Sequence, residues 1–272
     1  MKKLFYLAFA LLLCACSSTT NLGVSNVGRS QIMLVSSQSI NAEAASAYNQ
    51  IITQARQKGV LNTDKALYAR IERITQRLIK EAPFFRADCV SWSWQVNVID
   101  SKELNAWCMP GGKIAVYSAL VTKLKLSDDE IAVVIGHEMA HALREHSREQ
   151  ASQNLLKNSA LMIASLFGVD NNVLNLSNEA LNLGVSLPYS RTNENEADEI
   201  GLELATRAGF NPQAAVLVWQ KMQALSGTGI ELLSTHPSHE HRIENLQKLA
   251  TKLEAEYGIK NASEKEVSKK AK

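Results

Sequence analysis

The pentapeptide His137-Glu138-Met139-Ala140-His141 holds the densest chemistry in the chain. On a helix, His137 and His141 lie about 40° apart on one face, so both imidazoles can reach one cation. Glu138 is turned about 100° from His137, beside the pair and not aimed at the same point. That suits a general base acting on metal-activated water rather than a third ligand. Chance alone produces H-E-x-x-H in on the order of one chain in a hundred, so the context of the motif decides. Ser127-Asp128-Asp129-Glu130 is a capping-box signature just upstream, and Ile131 to Ile135 is apolar. The motif therefore falls inside a buried helix, where two imidazoles and a carboxylate need partners.

A catalytic zinc site takes three protein ligands and keeps one position open. His146 is the nearest candidate for the third, and it fails. It stands about 180° from His137 on a continuing helix, with no Gly between His141 and His146 to break that helix. It reads as a surface or structural residue. Ser190 to Asp198 offers more. Glu194 and Asp198 share one face of a helix whose other face carries Ala197, Gly201, Leu204 and Ala205. One of the two carboxylates can bind the metal; the other can accept a hydrogen bond from a ligand imidazole and fix its orientation. Glu196, about 200° from Glu194, faces elsewhere.

These residues need elements to hold them. Leu67, Ile71, Ile74 and Leu78 recur at helical spacing, with Pro83 as the stop, and an Ala-rich helix over 41–58 precedes them. Val90, Trp92, Trp94, Val96 and Val98 alternate with polar residues and predict a half-buried strand over 90–99. Asn105 to Met109 and Lys113 to Tyr117 read as strands around Pro110-Gly111-Gly112. Gly209 ends one helix and Asn211-Pro212 begins another. Ile243, Leu246, Ala250 and Leu253 mark a final amphipathic helix. Leu155 to Leu187 reads as core helices, with a lid over the cleft as the alternative; its apolar run Leu161 to Phe167 is too short to span a bilayer. The sum is one α+β domain over 41–259, mostly helical, with a small sheet inserted among many helices.

Three motifs in order, H-E-M-A-H, then S-R-x-x-E-x-E-A-D, then His236-Pro237 before Arg242-Ile243, resemble the zinc metallopeptidase family of HtpX, the CAAX prenyl proteases and the OMA proteases. The resemblance spans about Ala66 to Leu249 and is most similar to the BepA and LoiP branch. It implies a zincin-like fold and one zinc ion per chain. It implies His137, His141 and Glu194 as zinc ligands, Glu138 as general base and Asp198 as the carboxylate behind a ligand imidazole. At the matching place in that branch, His236 approaches the zinc, as a latch in the open position or as an oxyanion stabiliser. Asn105, Ala106 and Trp107 resemble the start of the family's edge-strand segment, where an extended peptide adds as another strand. The activity implied is endopeptidase cleavage of misfolded or unassembled envelope proteins. The competing reading is a chaperone or assembly factor with a latched zinc site.

Composition narrows the rest. The chain has 272 residues, 46% apolar and 21% charged, with 13 Gly and 5 Pro, which excludes disordered, collagen-like and disulfide-dense classes. Lys+Arg is 29 against Asp+Glu 27, a balance that gives no support for a nucleic-acid partner. No oligomeric state is implied. Met1-Lys2-Lys3, the apolar run Leu4 to Leu13 and Leu13-Cys14-Ala15-Cys16 read as a secretory leader over 1–15. The triplet before Cys16 resembles a lipobox, which implies a lipid on Cys16 and a lipid-anchored place at a bacterial outer membrane, facing the periplasm. Residues 16–40 then read as a tether, and 260–272, with five Lys and two Glu, as a disordered basic tail. Cys89 and Cys108 are the remaining cysteines, and an oxidising compartment permits a bond between them without requiring it.

Overall fold

The computed structural model describes residues 16–166, 190–224, 232, 236 and 241–258. The leader, the basic tail and residues 167–189 of the segment with a lid alternative lie outside them. In chain order the elements are β1 (Cys16–Ser17), β2 (Gln31–Ile32), α1 (Ser37–Gln57), α2 (Lys65–Phe85), a 3-10 turn (Ala87–Ser91), β3 (Gln95–Ile99), β4 (Ala106–Met109), β5 (Lys113–Tyr117), α3 (Ser118–Lys123), α4 (Asp128–Leu143), α5 (His146–Leu166), α6 (Arg191–Arg207), α7 (Ala214–Ala224) and α8 (Arg242–Tyr257). The fold is mostly helical around a small sheet, as expected. Among the described residues no helix is long and apolar enough to cross a membrane.

Helix α4 lies at the centre. Its capping box closes as the sequence predicts: Glu130 N–H donates to Ser127 Oγ at 3.2 Å and Ser127 N–H donates to Glu130 Oε2 at 2.7 Å. Every residue from Glu130 to Leu143 is buried. A helix buried all round must be enclosed by other elements, and α2, α6, α7 and β4 enclose this one. Its closest neighbour is α6. A Cβ on Gly136 would lie 2.6 Å from the Gly201 carbonyl oxygen, and a Cβ on Gly201 would lie 2.6 Å from the His137 backbone nitrogen. The two backbones touch there, an approach open only to glycine. Glycine inside a helix costs about 1 kcal/mol relative to alanine; here it sets the distance between the H-E-x-x-H motif and the acidic face of α6.

The sheet has the order β3-β5-β4, with β3 parallel and β4 antiparallel to β5. Gly111 and Gly112, at φ of 76° and 77°, turn β4 into β5. Strand β4 is therefore an edge strand, and it lies on α4. Ala106 and Cys108 point into the main core, while Trp107 packs beside Tyr48, their ring centroids 5.8 Å apart and edge to face.

Several expectations change. The strand over 90–99 shortens to Gln95–Ile99, because Trp92 and Trp94 stack on each other at 5.3 Å and Trp94 Nε1 donates to the Cys89 carbonyl at 3.0 Å. Pro83 sits in the last turn of α2, which runs on to Phe85. The helix after α4 does not continue: Arg144 caps it, Glu145 takes a left-handed φ of 55°, and α5 starts afresh at His146. Cys89 and Cys108 are free, buried thiols, so no disulfide joins them. Burial pushes the Cys89 thiol up to about 11, and burial likewise raises Cys108, which leaves neither poised as a nucleophile.

The segment read as a tether is docked on the domain. Val24 and Ser25 N–H groups donate to the buried Glu203 at 2.9 and 2.8 Å. Arg29 pairs with Glu149 at 2.5 Å and Glu196 at 2.8 Å. Thr19 Oγ1 and Gln31 Nε2 both donate to the Arg144 carbonyl at 2.9 Å, satisfying the end of α4. The helix that follows starts at Ser37, capped by Ser36, and not at Asn41. The polar composition of the segment serves buried partners rather than solvent.

Gly201→Ala should force α4 and α6 apart and destabilise the protein by about 1–3 kcal/mol, the usual range for overpacking, read by urea unfolding. An unchanged stability would show that the helix crossing is not close-packed.

Candidate metal centre

The α4 and α6 helices each bring two groups to their shared crossing. His137 and His141 stand one turn apart on α4, and Glu194 and Asp198 one turn apart on α6. Ser190 starts α6, its Oγ accepting from Asn193 N–H at 3.2 Å, so Glu194 falls in the first turn. His236 comes from a third segment, its backbone N–H donating to the Leu232 carbonyl at 2.9 Å. All are buried.

His137, His141, Glu194 and His236 each offer one donor atom, and these atoms lie within 4.8 Å of one another. His137 Nε2 is 3.2 Å from His141 Nε2 and 3.4 Å from His236 Nδ1. Glu194 Oε1 is 3.4 Å from His141 Nε2 and 2.9 Å from His236 Nδ1, and Glu194 Oε2 is 3.5 Å from His137 Nε2. Nitrogen and oxygen ligands at about 2.0–2.1 Å in a tetrahedron stand about 3.3 Å apart. The spacings thus match the edges of a tetrahedron around a small cation. The arrangement implies a divalent metal.

Charge makes the same demand. Burial opposes a positive His137, yet hydrogen bonds to Asp198 and Glu194 outweigh it and raise its pKa from 6.5 to about 9. Burial would also raise Glu194, but the three histidines around it hold it far below the usual carboxylate range. The carboxylates therefore draw positive charge into the space between them. His141 is pushed well below its ordinary value, chiefly by burial, and offers a neutral imidazole.

Outside the donor cluster, His137 Nδ1 lies 2.9 Å from Asp198 Oδ1, the geometry of a carboxylate that orients a ligand imidazole. Glu138 is turned aside, as its 100° offset predicts. Its Oε1 is buried, has no hydrogen-bond partner among the described residues and lies 3.5 Å from His236 Nε2. Burial raises its carboxyl above the ordinary value, with His236 and His137 pulling the other way. An apolar cavity lined by Val133, Val134, Leu202, Val218, Trp219 and Met222 adjoins His137 and Glu138.

Arg242 is a site residue with no role evident from the sequence. It heads α8, is 1% exposed, and donates to Glu194 Oε2 at 3.1 Å and Asp198 Oδ1 at 2.8 Å. Its guanidinium lies 3.5 Å above the Trp219 ring. It ties the proposed third ligand to the carboxylate behind His137. Its signal in the sequence is its place in the third motif, five residues after Pro237. His146 is buried rather than at the surface, and Glu196 faces away from the cluster as expected, onto His146, Arg29 and Arg144. Asn105, Ala106 and Trp107 lie along the edge strand; Asn105 Oδ1 accepts from Ala106 N–H at 2.8 Å.

The sequence model of peptidase family M48 matches residues 65–250. The mitochondrial metalloendopeptidase OMA1 of Arabidopsis thaliana is 40% identical over 151 residues, which are 55% of this chain and 30% of the relative. The OMA1 metalloendopeptidase of Bos taurus is 30% identical over 244 residues, 85% of this chain and 46% of the relative. The beta-barrel assembly-enhancing protease of Escherichia coli O157:H7 is 27% identical over 218 residues, 74% of this chain and 42% of the relative. The chain spans less than two thirds of the length of these relatives. Their names correct the expected location. The relatives at 30% and 40% identity are mitochondrial by name, against 27% for the bacterial one, so a lipid-anchored place at a bacterial outer membrane does not stand. The lipid on Cys16 rested on the same leader.

Removing one partner of a buried charge pair costs about 3–5 kcal/mol. Arg242→Gln should therefore cost that much in urea unfolding of chelator-treated protein, and less once zinc is restored. A loss under about 1 kcal/mol would contradict the paired arrangement, since that is the range of an exposed pair.

Proposed function

The chain belongs to peptidase family M48, and on that premise we propose that it is a zinc-dependent endopeptidase in which His137, His141 and Glu194 hold the metal and Glu138 is the general base. One observation carries the reading: four donor atoms from α4, α6 and residue 236 lie within 4.8 Å of one another, with the buried Oε1 of Glu138 beside them, 3.5 Å from His236 Nε2. Zinc, when bound, supplies a Lewis acid for the scissile carbonyl and acidifies the attacking water. Glu138 Oε1 accepts the proton of that water and returns it to the leaving amine. The raised pKa of this carboxyl moves it toward neutrality, where a general base works best. Asp198 and Arg242 fix His137 and Glu194, so no ligand has to reorganise as the reaction proceeds.

Substrate enters as an extended chain. Strand β4 lies at the sheet edge beside α4, and backbone pairing at an edge accepts a peptide largely regardless of its sequence. Asn105, Ala106 and Trp107 would supply that backbone contact. Unfolded or misassembled proteins are the substrates such an edge can take. The apolar cavity beside Glu138 would receive an apolar side chain next to the scissile bond.

His236 acts as a latch. Its Nδ1 lies in the donor cluster, 2.9 Å from Glu194 Oε1, where it fills the position a substrate carbonyl needs.

Glu138→Gln should still bind one zinc per chain but cleave unfolded casein at least about a hundredfold more slowly, the lower range for loss of a general base. Wild-type protein that binds zinc yet cleaves no faster than this variant would end the peptidase reading. His236→Ala should keep its zinc and raise the casein rate several-fold; a large fall in rate would place His236 on the oxyanion instead.

A further inference from the structure

His141 meets the donor cluster through Nε2, so its other ring nitrogen faces away from the site. That nitrogen, Nδ1, lies 2.8 Å from Nδ1 of His146. Two ring nitrogens at this distance share a single proton. With the Nε2 lone pair directed at a metal, the proton of a neutral His141 is on Nδ1, and His141 donates to His146. His146 then carries its own proton on Nε2, which lies 3.0 Å from Glu196 Oε2. The direction of each hydrogen bond is thereby fixed from the site outward.

The chain of contacts does not stop at Glu196. Its carboxylate also accepts from Arg144 Nε at 3.1 Å and from Arg29 Nε and Nη2 at 2.8 and 3.1 Å. Arg29 in turn grips Glu149 with two hydrogen bonds, at 2.5 and 2.8 Å. Arg144 donates to the Arg29 carbonyl at 2.5 Å. His146 and Arg144 are fully buried, and Glu196 is nearly so. Arg29 belongs to the N-terminal segment that the sequence presents as a tether. The break between α4 and α5, with Glu145 at φ 55°, is what turns His146 back toward His141.

We propose that His146 is a positioning residue for the metal centre, which holds the ring of His141 through a His141–His146–Glu196 relay, and that Arg29 of the N-terminal segment anchors the outer end of that relay. The two histidines of α4 are then oriented by different means. His137 meets a carboxylate directly, through Asp198; His141 meets one at a remove, through His146. Acids on one helix, Glu196 and Asp198, serve both. The N-terminal segment becomes part of the metal site, although its nearest residue in this chain of contacts is two side chains away from a proposed ligand. The inference rests on the metal reading above.

The test is zinc affinity of the full-length chain, measured by competition with a chromophoric chelator. Each variant is first checked for wild-type helicity in the metal-free state. His146→Phe keeps the ring volume and removes both hydrogen bonds. It should weaken zinc about 10- to 100-fold, the usual effect of losing the group behind a metal ligand. His146→Gln, whose side-chain oxygen accepts from His141 and whose amide donates to Glu196, should stay within about threefold of wild type. A merely space-filling role predicts the reverse order, with Phe tolerated and Gln not, and that result would overturn the proposal. Should His146→Phe fail to fold, Arg29→Ala and Glu196→Gln decide. Both should weaken zinc several-fold, and wild-type affinity in both would overturn it. His137→Ala is the separate control: if that variant binds zinc as tightly as wild type, the metal reading fails rather than the relay.

Discussion

The close contact of two helix backbones at Gly136 and Gly201 is the constraint on which the rest of the structure depends. Neither residue has chemistry of its own. A Cβ on either would lie 2.6 Å from backbone atoms of the other helix, and the helices would part. His137 follows Gly136 directly, and Glu194 and Asp198 lie within two turns of Gly201 on the same helix. The crossing therefore sets the gap between two imidazoles and two carboxylates. Interiors are packed as tightly as crystals, so such a gap cannot be recovered by small adjustments elsewhere. Helices α2 and α7 and strand β4 pack on α4 and bury this crossing.

Burial at the crossing creates an electrostatic problem that the fold answers with ordered partners. Glu194 and Asp198 are taken out of water together, and Glu138 lies beside them. Isolated charges in such a place would take up protons instead. Arg242 bonds the first two, and the raised pKa of His137 shows the same pull toward positive charge. A divalent cation answers that pull at the one point the donor atoms share. Glu138, whose Oε1 has no hydrogen-bond partner among the described residues, is the carboxylate proposed for proton transfer. On the far side, Glu196 is neutralised by Arg29 and Arg144, so the negative charge of α6 is compensated at both ends of the crossing.

The centre of the site was legible in the sequence because it follows helical periodicity. His137 and His141 share a face by spacing alone, Glu138 does not, and Glu194 pairs with Asp198 by the same rule. The capping box placed the start of α4 correctly for the same local reason. Legibility failed where a distant contact overrides local pattern. Residues 16–40 have the composition of a solvated linker, yet Arg29, Gln31 and Thr19 find buried partners more than a hundred positions away. A continuing helix would turn His146 away from the site. A left-handed Glu145 breaks it, and residues other than glycine rarely take that conformation. Trp92 and Trp94 alternate as a strand would, but their stacking draws them out of the sheet. Arg242 carries no local mark of burial, and its place is set by the packing of α8 on α6. The expected location rests on short motifs of the leader alone, and relatives of mitochondrial name contradict it.

X-ray absorption at the zinc edge of the loaded protein reads the metal's ligands themselves. The proposed ligand set requires a first shell of nitrogen and oxygen at about 2.0–2.1 Å without sulfur. Its imidazole count should match His137, His141 and His236, and should drop by one in His236→Ala. A shell containing sulfur, or an imidazole count unchanged when His137 and His141 are both replaced, would contradict it.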